Sequence, residues 1–275
     1  MTSMDSQNIL TDKAALARNR RDASEDGMFL HRIALDEIHD RLSMVNRRFS
    51  NPAIVGGFPD TWGSLLAGAK FIPDTETLDL KTAAHDLVIH ALALHWANDP
   101  VGQLIQCRRA LKLDGLFLAA SFGGRTLHEL RACLAEAEAS VVGGLTPRVA
   151  PMAELRDLGA LLQRADLALP VADAMPLTVK YDDAWHLMRD LRAMGETNAL
   201  ARRLRRPTRR AVLEKTAQLY QTHFATADDR ITATFELIFL TGWAPAENQP
   251  KALRPGSAKI RLAEALGTDE TSLND

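Results

Sequence analysis

The chain has 275 residues, 46% of them hydrophobic and 25% charged, with a formal charge of −2 at neutral pH. That is enough apolar material for a substantial core in one large domain or two small ones, and too even a charge to draw the whole chain to nucleic acid or anionic lipid. No apolar run approaches the roughly 20 residues of a membrane span and no hydrophobic signal core opens the chain, so we expect a cytoplasmic protein without a membrane span. Cys107 and Cys133 lie in helical patterns without CxxC spacing and read as two buried, reduced thiols.

Residues 1–50 read as an N-terminal arm. Its first 27 residues are polar, with the basic cluster ALARNRRDASED, and Leu30, Ile33, Ala34, Ile38, Leu42 and Val45 then follow a helical stripe suited to a sheet face. Residues 51–250 form the main domain, which opens on a short apolar strand at Ile54 and Val55. Gly56-Gly57 follows, where a nucleotide-binding α/β fold bends its first strand towards its first helix. A short helix falls within Thr61–Leu66, and FIPDTETLDL holds at most one strand and a loop.

The clearest organising unit is His85 to Gly124. Asp86–Leu92 is a near-continuous apolar run of strand length, as expected of a parallel strand covered on both faces. Val101, Leu104, Ile105, Arg108 and Leu111 recur at helical spacing behind Pro100, and Lys112-Leu113-Asp114-Gly115 closes that helix. Leu116–Phe122 is the second buried strand. Strand, helix, strand at this length calls for a right-handed crossover between parallel neighbours, so the fold class is α/β.

Downstream, Thr126-Leu127-His128-Glu129 fits a capping box, Pro151 opens a helix, Met175–Tyr181 is a candidate strand, and Asp183 starts a helix that Gly195 ends. RRLRRPTRR leads into another helix, so about 182–225 reads as a helical insertion. Ile231–Leu240 alternates as an antiparallel closing strand should. Residues 251–275 form a polar tail.

In an open parallel sheet, ligands bind beyond the carboxyl ends of the strands. Those ends are Gly56-Gly57, His90–His95 and Ser121–Arg125. The glycine doublet lets backbone approach a ligand, though it also reads as a plain strand-to-loop turn. His90 and His95 lack a third ligand at a recognisable spacing and read as hydrogen-bonded histidines, with no metal expected. The run Arg202–Arg210 is a solvated face or a docking patch for an acidic partner; nucleic acid is not expected.

HDLVIHALALHWANDP, ALKLDGLFLAASFGGRTLHELR, RDLGALLQRADLALP, LMRDLRAMGETNAL and FELIFLTGWAP together resemble the class I S-adenosylmethionine-dependent methyltransferase-like proteins that include the mitochondrial complex I assembly factor with a methyltransferase fold and its alphaproteobacterial relatives. ALARNRRDAS, DRLSMVNRRF and RPGSAKIRLAEAL fit as well, so the resemblance covers nearly the whole chain. It implies a Rossmann-like sheet with helices on both faces and an antiparallel closing strand. It also implies S-adenosylmethionine as cofactor, with Gly56, Gly57, Asp74, Ala91, Leu92 and His95 around it. The implied role is modification of a protein substrate, a complex I subunit, by methylation or by the arginine hydroxylation associated with the assembly factor. No catalytic residue is assigned.

Three departures stand against that pattern. The first loop, AIVGGFPDTWG, lacks the family's acidic residue and GxG. Only 30 positions separate Gly56 from Asp86, so the first half of the sheet is shortened, with the second strand expected to be missing. Read without a gap, the register preferred here, Asp74 falls where an acid faces the adenine; in the other register it is the ribose acid, 17 positions after Gly57. Arg125 stands where relatives commonly carry an acid, reversing the local charge towards a cationic substrate. A non-catalytic descendant that keeps the sheet and a partner surface but has lost the cofactor is the alternative function.

Overall fold

The computed structural model describes residues 9–250 and, beyond them, 264, 267 and 268. The tail expected at 251–275, with its RPGSAKIRLAEAL motif, therefore lies outside the described residues apart from those three. Two units are distinguished, Met1–Pro245 and Ala246–Asp275; the sheet and both clefts described below belong to the first.

Six strands form one sheet: β1 (Pro52–Gly56), β2 (Lys70–Pro73), β3 (His85–Ala91), β4 (Leu111–Phe122), β5 (Ala168–Tyr181) and β6 (Ile231–Trp243). Their order is β2-β1-β3-β4-β6-β5. The first four strands are parallel, while β6 runs antiparallel between β4 and β5. The expected α/β class and antiparallel closing strand are both present. Among the described residues one strand, not two, lies outside β1, so the first half is shortened. That strand, β2, pairs directly with β1, which brings Asp74 close to Gly57 rather than one strand further out.

Side chains alternate across the sheet. Ile54, Leu87, Ile89, Leu116, Leu118 and Ala120 join one core with α2 (Phe29–Met44), α5 (His128–Val142), α7 (Ala184–Ala193) and α8 (Arg210–Phe224). Ala53, Val55, Val88, Phe117 and Ala119 face the other way, onto α4 (Pro100–Ala110) and α6 (Leu155–Arg164). Burial on both faces explains why β1 and β3 read as continuous apolar runs. Asp99 caps α4 by accepting from the Gly102 N–H at 2.8 Å, with Pro100 in the first turn, and Asp183 likewise caps α7.

Two local expectations fail for one reason: tertiary partners displace local caps. The helix α4 ends at Ala110, and Lys112 to Gly115 already lie in β4, where Asp114 rather than Gly115 takes the left-handed turn (φ 59°). Asp tolerates that conformation through its short polar side chain. The capping box does not form at α5 either. Thr126 Oγ1 exchanges hydrogen bonds with the Glu236 backbone, and Glu129 accepts from Thr234, so Leu127 (φ 56°) turns the chain into the helix uncapped. Elsewhere, the short helix is one turn, α3 (Pro59–Trp62), and β5 begins at Ala168, seven residues before Met175.

The N-terminal segment is tied across the carboxyl ends of the strands. Helix α1 (Lys13–Arg21) buries Ala15 and Leu16 against Trp96, Ala199 and Leu200. Asn98 accepts from the Leu10 and Thr11 N–H groups at 3.0 and 2.8 Å, and Arg203 pairs with Asp12 at 2.9 Å. Part of the basic run thus anchors α1.

Candidate functional site

Strand order reverses between β1 and β3, the place where an open parallel sheet leaves a crevice at its carboxyl edge. Gly56 pairs with Pro73 on one side and Ala91 on the other, so the three strand ends are level. The next residues, Gly57, Asp74 and Leu92, rim the crevice. A Cβ at Gly56 would lie 3.1 Å from that of Ala91, tighter than ordinary packing. Leu92 is fully buried with φ 46°, a conformation a branched side chain adopts only when its surroundings impose it.

Arg20, from the end of α1, reaches into this crevice. Its Nη1 and Nη2 donate to Asp74 Oδ1 and Oδ2 at 2.5 and 3.1 Å, a fork-on-carboxylate pair. The same guanidinium lies against Gly57, where any side chain would collide with it. Lys13 Nζ donates to the Asp74 carbonyl at 3.2 Å and lies 3.8 Å from Oδ2. Burial pushes the Asp74 carboxyl up, but Arg20, Lys13 and His90 more than reverse this and leave it below the usual carboxylate range. Beyond Gly57 and Phe58 a polar cavity of about 690 Å³ opens, lined also by Arg21, Arg32, Asp36 and Asp60.

A second cleft of about 310 Å³ lies beside the end of β4. Its walls are mostly apolar, including Met152, Met188, Met194, Phe122 and Phe235; Glu196 is the one carboxylate in the lining, and Arg192 and Arg148, the latter paired with Glu138, line it too. Glu196 accepts from Trp96 Nε1 at 2.8 Å and pairs with His95 Nε2 at 3.2 Å. A carboxylate only accepts here, so His95 Nε2 carries the hydrogen. Burial raises the Glu196 carboxyl, yet His95, His31 and Arg20 together hold it below its ordinary value. Gly195 (φ 80°) ends the turn after α7 and sets Glu196 in place, its N–H donating to the Leu191 carbonyl at 2.9 Å.

Gly56, Gly57, Asp74, Ala91 and Leu92 are therefore brought together, whereas His95 sits with Glu196 on the side of the second cleft. His90 does not join it: His90 Nε2 bonds Gln103 Oε1 at 2.8 Å beneath Asp74, and burial lowers its pKa to about 4. His31 is fully buried, accepts from Trp62 Nε1 at 3.0 Å, and is likewise pushed down to about 4 by burial. Arg125 is exposed, and its backbone N–H donates to Glu236 at 3.2 Å. Among the described residues no group of three His, Cys, Asp or Glu side chains could hold a metal. Arg20, Trp96 and Glu196 are not singled out by the sequence reading. All three lie inside the motifs that carry the resemblance, and an acid directly after a helix-ending glycine is the one local signal that points to Glu196.

No protein-family profile matches the chain. It is 41% identical over 184 residues to the mitochondrial arginine-hydroxylase NDUFAF5 of Dictyostelium discoideum, covering 66% of this chain and 42% of that protein. It is 37% identical over 196 residues to the Homo sapiens NDUFAF5, covering 70% and 56%. It is 30% identical over 207 residues to the malonyl-[acyl-carrier protein] O-methyltransferase of Gallionella capsiferriformans (strain ES-2), covering 74% and 67%. Among solved structures, the YcgJ protein of Bacillus subtilis superposes with a TM-score of 0.50 at 14% identity, covering 78% of this chain and all of that one, which speaks for the fold alone. The chain belongs to the class I S-adenosylmethionine-dependent methyltransferase-like family. It spans about half the length of the NDUFAF5 relatives it matches.

Proposed function

We infer that the chain binds S-adenosylmethionine at the β1/β3 crevice, through Gly56, Gly57, Asp74, Ala91 and Leu92 with His95 alongside, and uses it to modify a protein side chain during assembly of respiratory complex I. The observation that carries this reading is the level alignment of Gly56, Pro73 and Ala91, which places a side-chain-free turn and a buried, ionised carboxylate on either side of one crevice. Those residues fit an adenosine-type cofactor: Asp74 can accept from ribose hydroxyls, and the Gly57 turn admits the amino-acid end once the Arg20 side chain moves aside. When bound, that cofactor supplies an electrophilic methyl group. The chain's own part is to hold donor and acceptor in line and to keep water out.

The second cleft suits the acceptor. Its methionine-rich walls accommodate an apolar stem, and Glu196 can accept from a hydrogen-bond-donating head, in a lining that Arg192 and the Glu138-paired Arg148 share; the 41% and 37% identical relatives carry the name arginine-hydroxylase. Cys107 and Cys133, both buried free thiols, agree with the cytoplasm as its location. No helix of the described residues is long and apolar enough to cross a membrane.

Thermal unfolding with and without S-adenosylmethionine tests the cofactor. At 100 times its dissociation constant a ligand stabilises by about 2.7 kcal/mol, a rise of roughly 5–10 °C for a domain of this size. A melting temperature unmoved at millimolar cofactor overturns the reading. It would favour the non-catalytic alternative, which the Arg20–Asp74 pair in the crevice also supports.

A further inference from the structure

Only part of the basic run at 202–210 is used inside the fold. Arg203 pairs with Asp12 at 2.9 Å, Arg205 lies 3.5 Å from the same carboxylate oxygen, and Arg210 pairs with Glu214 at 2.8 Å. Arg206 and Arg209 are exposed, have no ion-pair partner among the described residues, and line a recess of about 200 Å³ with Val142, Leu145 and Pro207. The one carboxylate in that lining is already engaged: Glu138 accepts from Arg148 Nη2 at 2.5 Å and from the Thr146 hydroxyl at 2.7 Å. Arg148 also lines the methionine-walled cleft, where its Nη1 donates to Thr208 Oγ1 at 2.7 Å, so recess and cleft share a wall. Arg192, in the lining of that cleft, is likewise exposed and without an ion-pair partner among the described residues.

We propose that these arginines select the acceptor by its neighbours: the side chain that enters the second cleft belongs to a polypeptide segment with acidic residues beside it, which rest on Arg192 and, in the adjoining recess, on Arg206 and Arg209. This rests on the reading of the second cleft as the acceptor site. A cleft of about 310 Å³ takes one side chain and leaves the backbone that carries it outside, so the residues next to the acceptor run over the surface around it. The two linings hold one carboxylate each, Glu196 and Glu138, with side chains 6% and 4% exposed and both already hydrogen-bonded. Neither answers the three guanidiniums. Like charges gathered without a counter-charge draw an anionic partner, and a guanidinium fork meets a carboxylate with two bonds. Glu196 within and arginines without then fix one orientation, with the donor head inward and the acidic neighbours outward. Leu145, 68% exposed, adds apolar surface for such a segment to lie on. An anionic bilayer offers the arginines the same charge but no side chain to fill the cleft, which favours a polypeptide.

The test titrates the full chain, by fluorescence anisotropy, with fluorescein-labelled peptides that carry one central arginine flanked by glutamates or, in the matched control, by glutamines. Wild type is expected to bind the glutamate peptide at least about tenfold more tightly at low salt, because one exposed ion pair contributes up to about fivefold and three are on offer. Added sodium chloride shrinks that ratio. In the double variant Arg206→Gln, Arg209→Gln the ratio falls to within about threefold, while Arg206→Lys with Arg209→Lys keeps most of it. Both positions are exposed, so the melting temperature is expected to stay at the wild-type value. Equal binding of the two peptides to wild type, or an unchanged ratio in the double glutamine variant, overturns the proposal; the acceptor reading still stands if replacing the central arginine by leucine weakens both peptides. Affinity for the glutamate peptide unmoved by that replacement overturns the acceptor reading and the proposal with it. Sedimentation with phosphatidylserine vesicles that the double glutamine variant loses, without a preference between peptides, assigns this face to anionic lipid and also overturns the proposal.

Discussion

The two clefts on either side of the Leu94–Trp96 turn solve opposite electrostatic problems. In the β1/β3 crevice a buried carboxylate, Asp74, is neutralised by the chain's own cations, Arg20 and Lys13. In the neighbouring cleft a buried carboxylate, Glu196, accepts from the Trp96 indole and pairs with the His95 imidazole, in a lining that is mostly apolar but includes Arg148 and Arg192. The first is a carboxylate engaged on both oxygens by a fixed positive charge; the second puts both of its bonds on Oε2. A carboxylate forked by a guanidinium admits whatever can replace that partner, whereas one held on a single oxygen by an indole and an imidazole has acceptor capacity left for a further donor.

Glu196→Ala breaks the contrast most severely. Removing the acceptor leaves the Trp96 N–H and His95 without a partner, and denaturant unfolding should show a loss of about 3–5 kcal/mol, against about 1–3 kcal/mol for Glu196→Gln, which keeps the shape. Equal effects would mean that the carboxylate's charge contributes nothing to the cleft. Next in size, Gly57→Trp fills the space the Arg20 guanidinium uses and should weaken cofactor binding at least 100-fold, about 2.7 kcal/mol, without touching the second cleft. Unchanged affinity in titration would show that the turn is structural only.

Smaller effects separate the two sides by pH. His90 lies under Asp74 and His31 near Glu196, both with pKa values lowered to about 4 by burial. Because the folded values lie below the unfolded value of about 6.5, the unfolded chain takes up protons first as the solution is acidified. The stability each contributes is complete above that value and falls by about 1.4 kcal/mol per pH unit per histidine on the way down to pH 4. Urea unfolding at pH 7 and 5.5 should show the loss in wild type and a smaller one in His90→Gln; equal losses would count against neutral burial of His90. The smallest change is Arg125→Asp. The side chain is exposed, so stability should stay within about 0.5 kcal/mol, and binding of an arginine-bearing peptide should strengthen if this loop faces the acceptor. Weaker peptide binding would remove Arg125 from that role.

The fold was legible wherever periodicity carried it. His85–Ala91, Pro100–Ala110 and Ile231–Trp243 match their expected spans to within a few residues because apolar spacing and a cap at Asp99 decide them locally. What sequence could not weigh was competition between local and distant partners. Thr126 and Glu129 have the right spacing for a cap and spend their hydrogen bonds on β6 instead. The site was half visible for the same reason. Glycines and acids at strand ends are readable as types, and Gly56, Gly57 and Asp74 do meet. Arg20 and Glu196, separated from their partners by 54 and 101 positions, become site residues only through tertiary packing.

The outer strand β5 bears on how the molecule keeps to itself. It is 14 residues long, pairs on one side with β6, and exposes Leu169 and Val171 near its start. A flat ribbon of that length would invite a neighbouring chain to zip onto it. Pro170 and Pro176, which have no N–H to offer, together with the register slip between Ala168 and Val171, interrupt the ladder such a neighbour would need, so this edge resists aggregation despite its greasy start.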